Sequence, residues 1–275
     1  MARSLDSRLK IAVGCDFTYE ASSATPAVFL VRPSPSGEQA VLEEHWESVP
    51  ELHFRDYVDI YGNALRRVTI PPGTTTIRYN ASVTTTSLPD PVGAGAAQLP
   101  IDELPDDVLH YTLPSRYCPS DLLADTAWKL FAQTPPTWER VQAIVDYVHA
   151  RIRFTPGASV SATTALEAFE SETGVCRDYA HLAISFCRAM NVPARYAFGY
   201  LPDIDVPPAD VPMDFCAWFE AYLGDRWWTF DPRNNQRRAG RVLIARGRDA
   251  LDVAMVTSYG SAVLTTIDVR AEERG

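Results

Sequence analysis

A change in hydrophobic periodicity near residue 121 is the feature that most constrains the fold of this 275-residue chain. Before that point, short segments rich in Val, Ile, Thr and aromatic residues are separated by Pro, Gly and Asn, a pattern typical of β-strands and turns. After it, apolar residues recur at helical spacing as far as Met190, and strand-like segments follow. Helices followed by antiparallel strands predict an α+β domain behind an all-β region.

The amino-terminal residues 1–90 are predicted to form a small β-sandwich. Residues 91–120 carry many Pro, Gly and Ala residues and are predicted as an irregular connector. Residues 121–275 form the predicted α+β domain. The segments with strand character in the first region are residues 9–19, 28–32, 53–60, 64–70 and 75–86.

In the second domain the predicted helices come first and the predicted strands follow them. Thr134 is the expected N-cap of a helix that ends near Ile152. A later helix is expected from about Cys176 to Met190, where Asn191 and Pro193 end it, because Asn tolerates a left-handed cap and Pro cannot continue a helix. The other predicted helices are 122–131 and 163–169, and the predicted strands are 194–201, 215–223, 226–231, 242–245, 253–257 and 263–269.

Cys176 is the candidate nucleophile of the chain. It follows Gly174 and Val175 and stands at the start of a long amphipathic helix. Backbone N–H groups at a helix start lack intrahelical partners and carry partial positive charge, so they favour a thiolate over a thiol. The alternative is a buried structural cysteine, which is a common fate of free cysteines.

A hairpin brings two further candidates, Cys216 and Asp231, onto one face of a sheet. The glycine of Leu223-Gly224-Asp225-Arg226 predicts a two-residue turn. Counting back from this turn makes Cys216 and Asp231 diagonal neighbours, about 7–8 Å apart at the backbone. The expected pairs are Leu223 with Arg226, Tyr222 with Trp227, Glu220 with Thr229 and Trp218 with Asp231.

Three separated blocks of this chain resemble the bacterial transglutaminase-like family of papain-type thiol enzymes. They are Thr173–His181, Asp214–Tyr222 and Trp227–Pro232, where the family has Cys, then His-Ala-Trp, then Asp-Pro. The resemblance is closest over residues 121–260, and the amino-terminal β region resembles the domain that precedes the core in bacterial members. It implies a papain-like core behind a β-sandwich.

The same resemblance implies a mechanism and a substrate class. Cys176 is expected to attack an amide carbonyl in a peptide, protein or glutamine-type substrate, a histidine to transfer protons, and Asp231 to fix the tautomer of that histidine. Backbone N–H groups near the cysteine are expected to stabilise the oxyanion. Hydrolysis and acyl transfer to an amine share this acyl-enzyme, so the sequence does not separate them.

The chain departs from the family pattern at Cys216, which occupies the position of the catalytic histidine. A cysteine is too short to reach Asp231 and has little basicity near neutral pH. Losing a general base typically costs about 10²–10⁴-fold in rate, so reduced or lost activity is expected. Three alternatives stay open: a non-catalytic binding or scaffold module, a reversible Cys176–Cys216 disulfide that acts as a redox switch, and a metal site formed with Asp231.

Other residues near these motifs are expected to have structural roles. His181 lies five residues beyond Cys176, so its side chain points about 140° away from that of Cys176 around the helix axis. We therefore expect His181 to pack in the core rather than to replace the catalytic base. Asp178 is expected to form a salt bridge rather than to bind a substrate amine. At least two of Trp218, Trp227 and Trp228 are expected to pack across strands rather than to line a cleft.

The composition of the chain limits which classes of partner and which cellular location are expected. A formal net charge of -10 argues against nucleic acid and against anionic membranes. No secretory signal or spanning segment is evident, so a cytoplasmic location is expected. The irregular spacing of the cysteines predicts reduced thiols and no disulfide framework. No cofactor is expected, and no calcium-binding loop is evident. The oligomeric state stays open. The five cysteines are Cys15, Cys118, Cys176, Cys187 and Cys216.

Overall fold

The computed structural model describes residues 8–35, 39–208 and 212–274, which form an α+β fold. The strands are β1 Arg8–Ala21, β2 Thr25–Phe29, β3 Gln39–Val49, β4 Arg55–Val58, β5 Ala64–Ile70, β6 Gly73–Thr86, β7 Arg153–Phe154, β8 Thr173–Gly174, β9 Ala194–Tyr200, β10 Cys216–Leu223, β11 Arg226–Phe230, β12 Val242–Gly247, β13 Val256–Ser258 and β14 Val263–Arg274. The α-helices are α1 Asp106–Leu109, α2 Ala124–Phe131, α3 Trp138–Arg151, α4 Ala165–Ser171 and α5 Cys176–Ala189, with short 3-10 helices at Ile101–Glu103 and His110–Thr112.

The amino-terminal strands form two antiparallel sheets, as the alternating sequence predicts. One sheet has the order β14-β1-β6-β3 and the other β13-β2-β5-β4. Side chains of β1 alternate between buried and more exposed along much of its length, because successive residues of a strand point to opposite faces. Phe17 of one sheet contacts Phe29 of the other edge-to-face, with ring centroids 5.5 Å apart, so the two sheets enclose a common apolar core.

The last strands of the chain lie in these same sheets. β14 pairs antiparallel with β1 along most of its length, and β13 pairs with β2. The division into residues 1–90, 91–120 and 121–275 stays a prediction, but strand pairing places residues 256–258 and 263–274 with the amino-terminal strands. Periodicity alone does not show this, because it gives a strand and not its partner.

The second half of the fold is a sheet of order β11-β10-β9-β12 covered by helices. Helix α5 contacts β9 and β10 on one side and α2, α3 and α4 on the others, so its residues from Asp178 to Arg188 are buried. This near-complete burial fixes the start of α5 against the sheet. Asn191 has a φ of 61°, which confirms the left-handed residue expected after the helix.

The starts of helices α3 and α4 differ in how well they match the sequence expectations. Thr134 is not an N-cap: α3 begins at Trp138 with Thr137 before it, and the Thr134 hydroxyl donates to the Phe131 carbonyl over 2.6 Å. The short helix α4 begins after Thr164, whose side chain and that of Glu167 form a capping box. In the part of the chain that the structure describes, no helix is both long and apolar enough to cross a membrane.

Candidate active site

Cys176 occupies the first position of helix α5, as the sequence predicts. The side chain of Asp178 fixes this helix start, because its Oδ2 accepts the backbone N–H of Val175 over 2.8 Å. Gly174 is needed beside it, since a Cβ there would lie 2.7 Å from the Cβ of Asp178. Asp178 also contacts Arg177 over 3.2 Å, which confirms the expected salt bridge.

The Cys176 side chain is half-buried at a cleft of about 870 Å³. Cys216, at the start of β10, lines the same cleft and packs against Cys176. Cys176 Sγ lies 3.9 Å from the carbonyl oxygen of Phe215, the residue before Cys216. The cleft walls come from the segment after β8, from residues 201–207 and 212–216, from the turn after β11, and from β14.

The two thiols share a hydrogen bond that shifts them in opposite directions. The Cys216 thiol donates to the Cys176 sulfur, and this lowers the pKa of Cys176 although burial acts to raise it. The Ala217 backbone N–H and the Arg233 charge lower the pKa of Cys176 further. The same hydrogen bond, burial and the Cys176 charge raise the pKa of Cys216 well above its ordinary value. Of the two thiols, Cys176 is therefore the one that loses its proton more readily.

Asp231 lies directly after β11, where the hairpin register puts it. The pairs Leu223–Arg226, Tyr222–Trp227 and Glu220–Thr229 are confirmed, whereas the ladder ends at Phe219–Phe230, one pair short of the expected Trp218–Asp231. The Asp231 carboxylate is buried and accepts the Asn234 N–H over 3.0 Å and Asn234 Nδ2 over 2.8 Å.

Arg241 is the partner of Asp231 that sequence reasoning missed. Its Nη2 donates to Asp231 Oδ2 over 2.9 Å, and its Nε lies 3.0 Å from Asp90 Oδ1 and Oδ2. Burial raises the pKa of Asp231, but the Arg241 charge and the Asn234 hydrogen bonds hold the pKa below its ordinary value. No local sequence signal marks the contact with Asp90, because Asp90 lies 151 residues from Arg241.

His181 and the three tryptophans take the packing roles that the sequence favours. The imidazole of His181 is fully buried, stacks on Tyr117 with ring centroids 5.3 Å apart, and accepts the Ala250 N–H at Nε2 over 3.1 Å. Burial lowers its pKa well below the ordinary value, so it stays neutral. Trp218 lies under the Arg241 guanidinium, Trp227 packs on Tyr111 and Tyr222, and Trp228 packs on Trp138.

The metal alternative has no support among the residues that the structure describes. No group of three or more His, Cys, Asp or Glu side chains there is arranged to hold a metal ion. Both oxygens of Asp231 already accept hydrogen bonds from Asn234 or Arg241.

Comparisons with known proteins agree with the fold. A model of the transglutaminase-like superfamily matches residues 125–232, a range that contains Cys176, Cys216 and Asp231. The crystal structure of a candidate cysteine protease from Cytophaga hutchinsonii matches with a TM-score of 0.88 and 32% identity, over 98% of this chain and 91% of that one. The chain belongs to the transglutaminase-like superfamily.

Relatives in mycobacteria extend the likeness across the whole chain. An uncharacterized protein of Mycobacterium leprae is 27% identical over 277 residues, which span 96% of this transglutaminase-like chain and 98% of that protein. An uncharacterized protein of Mycobacterium tuberculosis is 27% identical over 164 residues, which span 56% of this chain and 52% of that protein. Because the match to the Mycobacterium leprae protein covers nearly all of both chains, it includes both the amino-terminal strands and the core of this chain.

Proposed function

We propose that this transglutaminase-like chain is a thiol amidohydrolase of peptidase type that forms an acyl-enzyme on Cys176 and turns over slowly because Cys216 replaces a histidine. One observation carries the proposal: a half-buried cysteine stands at the first position of α5, faces a large cleft, and has its thiolate favoured by its surroundings. The proposed substrate is a peptide, protein or glutamine-type amide.

Acylation begins when the Cys176 thiolate attacks the amide carbonyl carbon. The carbonyl oxygen becomes an oxyanion, for which the Cys176 N–H at the start of α5 is the proposed donor, since the N–H groups of Asp178 and Tyr179 already donate to the Val175 carbonyl. Collapse of this intermediate breaks the C–N bond, and the departing amine needs a proton. The Cys216 thiol is adjacent, and the charge on Cys176 that raises its pKa is consumed as the new C–S bond forms. Cys216 is therefore the proposed proton donor to the amine.

Deacylation is the step at which the missing histidine is most costly. Burial and the Asp231 charge also raise the pKa of Cys216, so its thiolate regains a proton from solvent after acylation. A protonated thiol does not activate water. General base catalysis typically contributes about 10²–10⁴-fold, so we expect acyl-enzyme hydrolysis to limit turnover.

Acylation by p-nitrophenyl acetate tests the proposal, because this activated ester needs no proton donor to its leaving group. We expect an acetyl group on Cys176, located by peptide mapping, and no acetylation at the equivalent peptide of Cys176→Ala. Cys118, buried and with a pKa raised to about 12, is the internal control that stays unmodified. Equal modification of Cys176 and Cys118, or none at Cys176, would contradict the proposal, and the non-catalytic binding module would then be the better account.

A redox switch is the second candidate, and the contact between Cys176 and Cys216 favours it. Both cysteines are free in this structure. Oxidation by a peroxide would join the two sulfurs and release two protons and two electrons, which reduce the peroxide to water. Exposure to peroxide followed by alkylation distinguishes this outcome: a switch predicts a linked peptide pair that dithiothreitol separates, whereas oxidation to Cys176 sulfinic acid alone would contradict it.

A further inference from the structure

The proposed acyl-enzyme needs a proton acceptor for water, and position 216 does not supply one. No histidine is among the described residues that line the cleft. Among these described residues, the side chains that can accept a proton from water are carboxylates. They are Asp203, Asp205, Asp214, Glu272 and Glu273.

Asp214 is the carboxylate that the backbone ties most closely to the nucleophile. Its Oδ1 accepts the Phe215 N–H over 2.7 Å, and the carbonyl oxygen of the same Phe215 lies 3.9 Å from Cys176 Sγ. The backbone of Phe215 therefore contacts both the carboxylate, through its N–H, and the sulfur, through its carbonyl oxygen. The side chain of Asp214 lines the cleft.

We infer that Asp214 is the general base that activates water for hydrolysis of the acyl-enzyme on Cys176. This inference rests on the proposed function. The Asp214 carboxylate takes a proton from water while the water oxygen bonds to the thioester carbon and its carbonyl oxygen becomes an oxyanion. Collapse breaks the C–S bond, restores the Cys176 thiolate and releases the acid, and the proton on Asp214 passes to solvent.

Electrostatic effects at the two groups agree with this placement. Burial raises the pKa of Asp214, which makes the carboxylate a better proton acceptor than an ordinary aspartate. The Asp214 charge in turn raises the pKa of Cys176, so the two groups lie close enough to interact. The titratable and charged groups that face the cleft with Asp214 are Cys176 on α5, Cys216 on β10, Arg233 after β11, Arg238 before β12, Asp203 and Asp205 after β9, and Glu272 and Glu273 on β14.

The other carboxylates have a weaker case. Asp203 forms an ion pair with Arg238 over 3.1 Å, so its carboxylate is already engaged. Glu272 belongs to β14, on the wall contributed by the amino-terminal sheet. It therefore supplies a matched control: Glu272→Gln removes one negative charge from the same cleft without touching the segment that contacts Cys176.

The experiment measures acetylation and deacetylation of Cys176 separately, by intact-mass spectrometry after a pulse of p-nitrophenyl acetate. Asp214→Asn keeps an oxygen for the Phe215 N–H but is not a base. We expect it to acetylate as fast as the parent protein or faster, because a charge that opposes the thiolate is gone. We expect its deacetylation to slow by about 10²-fold, the lower end of general base effects. Glu272→Gln should change neither rate.

The pH dependence of the deacetylation rate distinguishes a general base from a residue that only supports the structure. Loss of a purely structural residue would not change the shape of this pH profile. In the parent protein the rate should rise as pH passes through the pKa of Asp214 and then level, whereas in Asp214→Asn it should follow hydroxide concentration. Formate should restore part of the rate in Asp214→Ala. Equal deacetylation in parent and Asp214→Asn would overturn the inference and leave the proposed function standing, whereas absence of acetyl-Cys176 in the parent would overturn the proposed function itself.

Discussion

Replacing Cys216 with histidine should raise amide hydrolysis, and the structure shows why. The Asp231 carboxylate offers about four lone-pair sites, and Asn234 and Arg241 use three of them. One site on Oδ1 is therefore left for an imidazole N–H. Cys216 lines the cleft, so a larger side chain at this position has room on the cleft side. The other imidazole nitrogen could then accept the proton that water loses.

The magnitude follows from the chemistry that a histidine would add. General acid–base catalysis typically contributes about 10²–10⁴-fold, so we expect a gain in kcat/KM of that order on peptide anilides or glutamine amides. Cys216→Ala is the matched control, since it removes the thiol without adding a base and should give no gain. In Cys216→His, the further change Asp231→Asn should remove most of the gain, because it disrupts the tautomer that the carboxylate selects. A folded Cys216→His protein that alkylates normally at Cys176 and gains nothing would refute this reasoning.

Three further predictions concern the thiols and the fold. Cys216→Ala should raise the pKa of Cys176, because the hydrogen bond that lowers it is lost, and the pH profile of alkylation should move to higher pH. Peroxide should protect Cys176 from alkylation in the parent protein but leave no linked peptide pair in Cys216→Ala. Glu220→Gln should lower the free energy of unfolding by about 3 kcal/mol at pH 7, because buried Glu220 pairs with Arg195 and Arg246. Burial raises the pKa of Glu220, but the two arginines lower it below its ordinary value. The difference in free energy of unfolding between the parent protein and Glu220→Gln, measured by denaturation, should therefore shrink as pH falls through the folded-state pKa of Glu220.

The sequence predicted those parts of the fold that depend on local pattern. The start of α5 at Cys176, the turn at Gly224 and the hairpin register all follow from periodicity and turn chemistry, and the structure agrees. The error at Thr134 has a local cause as well: Thr137, three residues on, is an equally good helix start, and Pro135 did not decide between them.

The parts that could not be predicted depend on contacts between distant residues. Arg241 reaches Asp90, which lies 151 residues away in the chain, and β14 returns to pair with β1 and bring Glu272 into the cleft. Asp214 had a visible signal, its position two residues before Cys216, but its relation to Cys176 required the path of the chain through Phe215. Pattern gives the elements, and tertiary packing decides which side chains meet.

The pH dependence of alkylation at Cys176, followed by mass spectrometry in reductant, tests the central claim most directly. The claim is that Cys216, the Ala217 backbone and Arg233 lower the pKa of Cys176 in this cleft. We expect a midpoint below the ordinary cysteine pKa of about 8.5, and a higher midpoint in Cys216→Ala. A midpoint at or above about 8.5 in the parent protein, unchanged in Cys216→Ala, would contradict it.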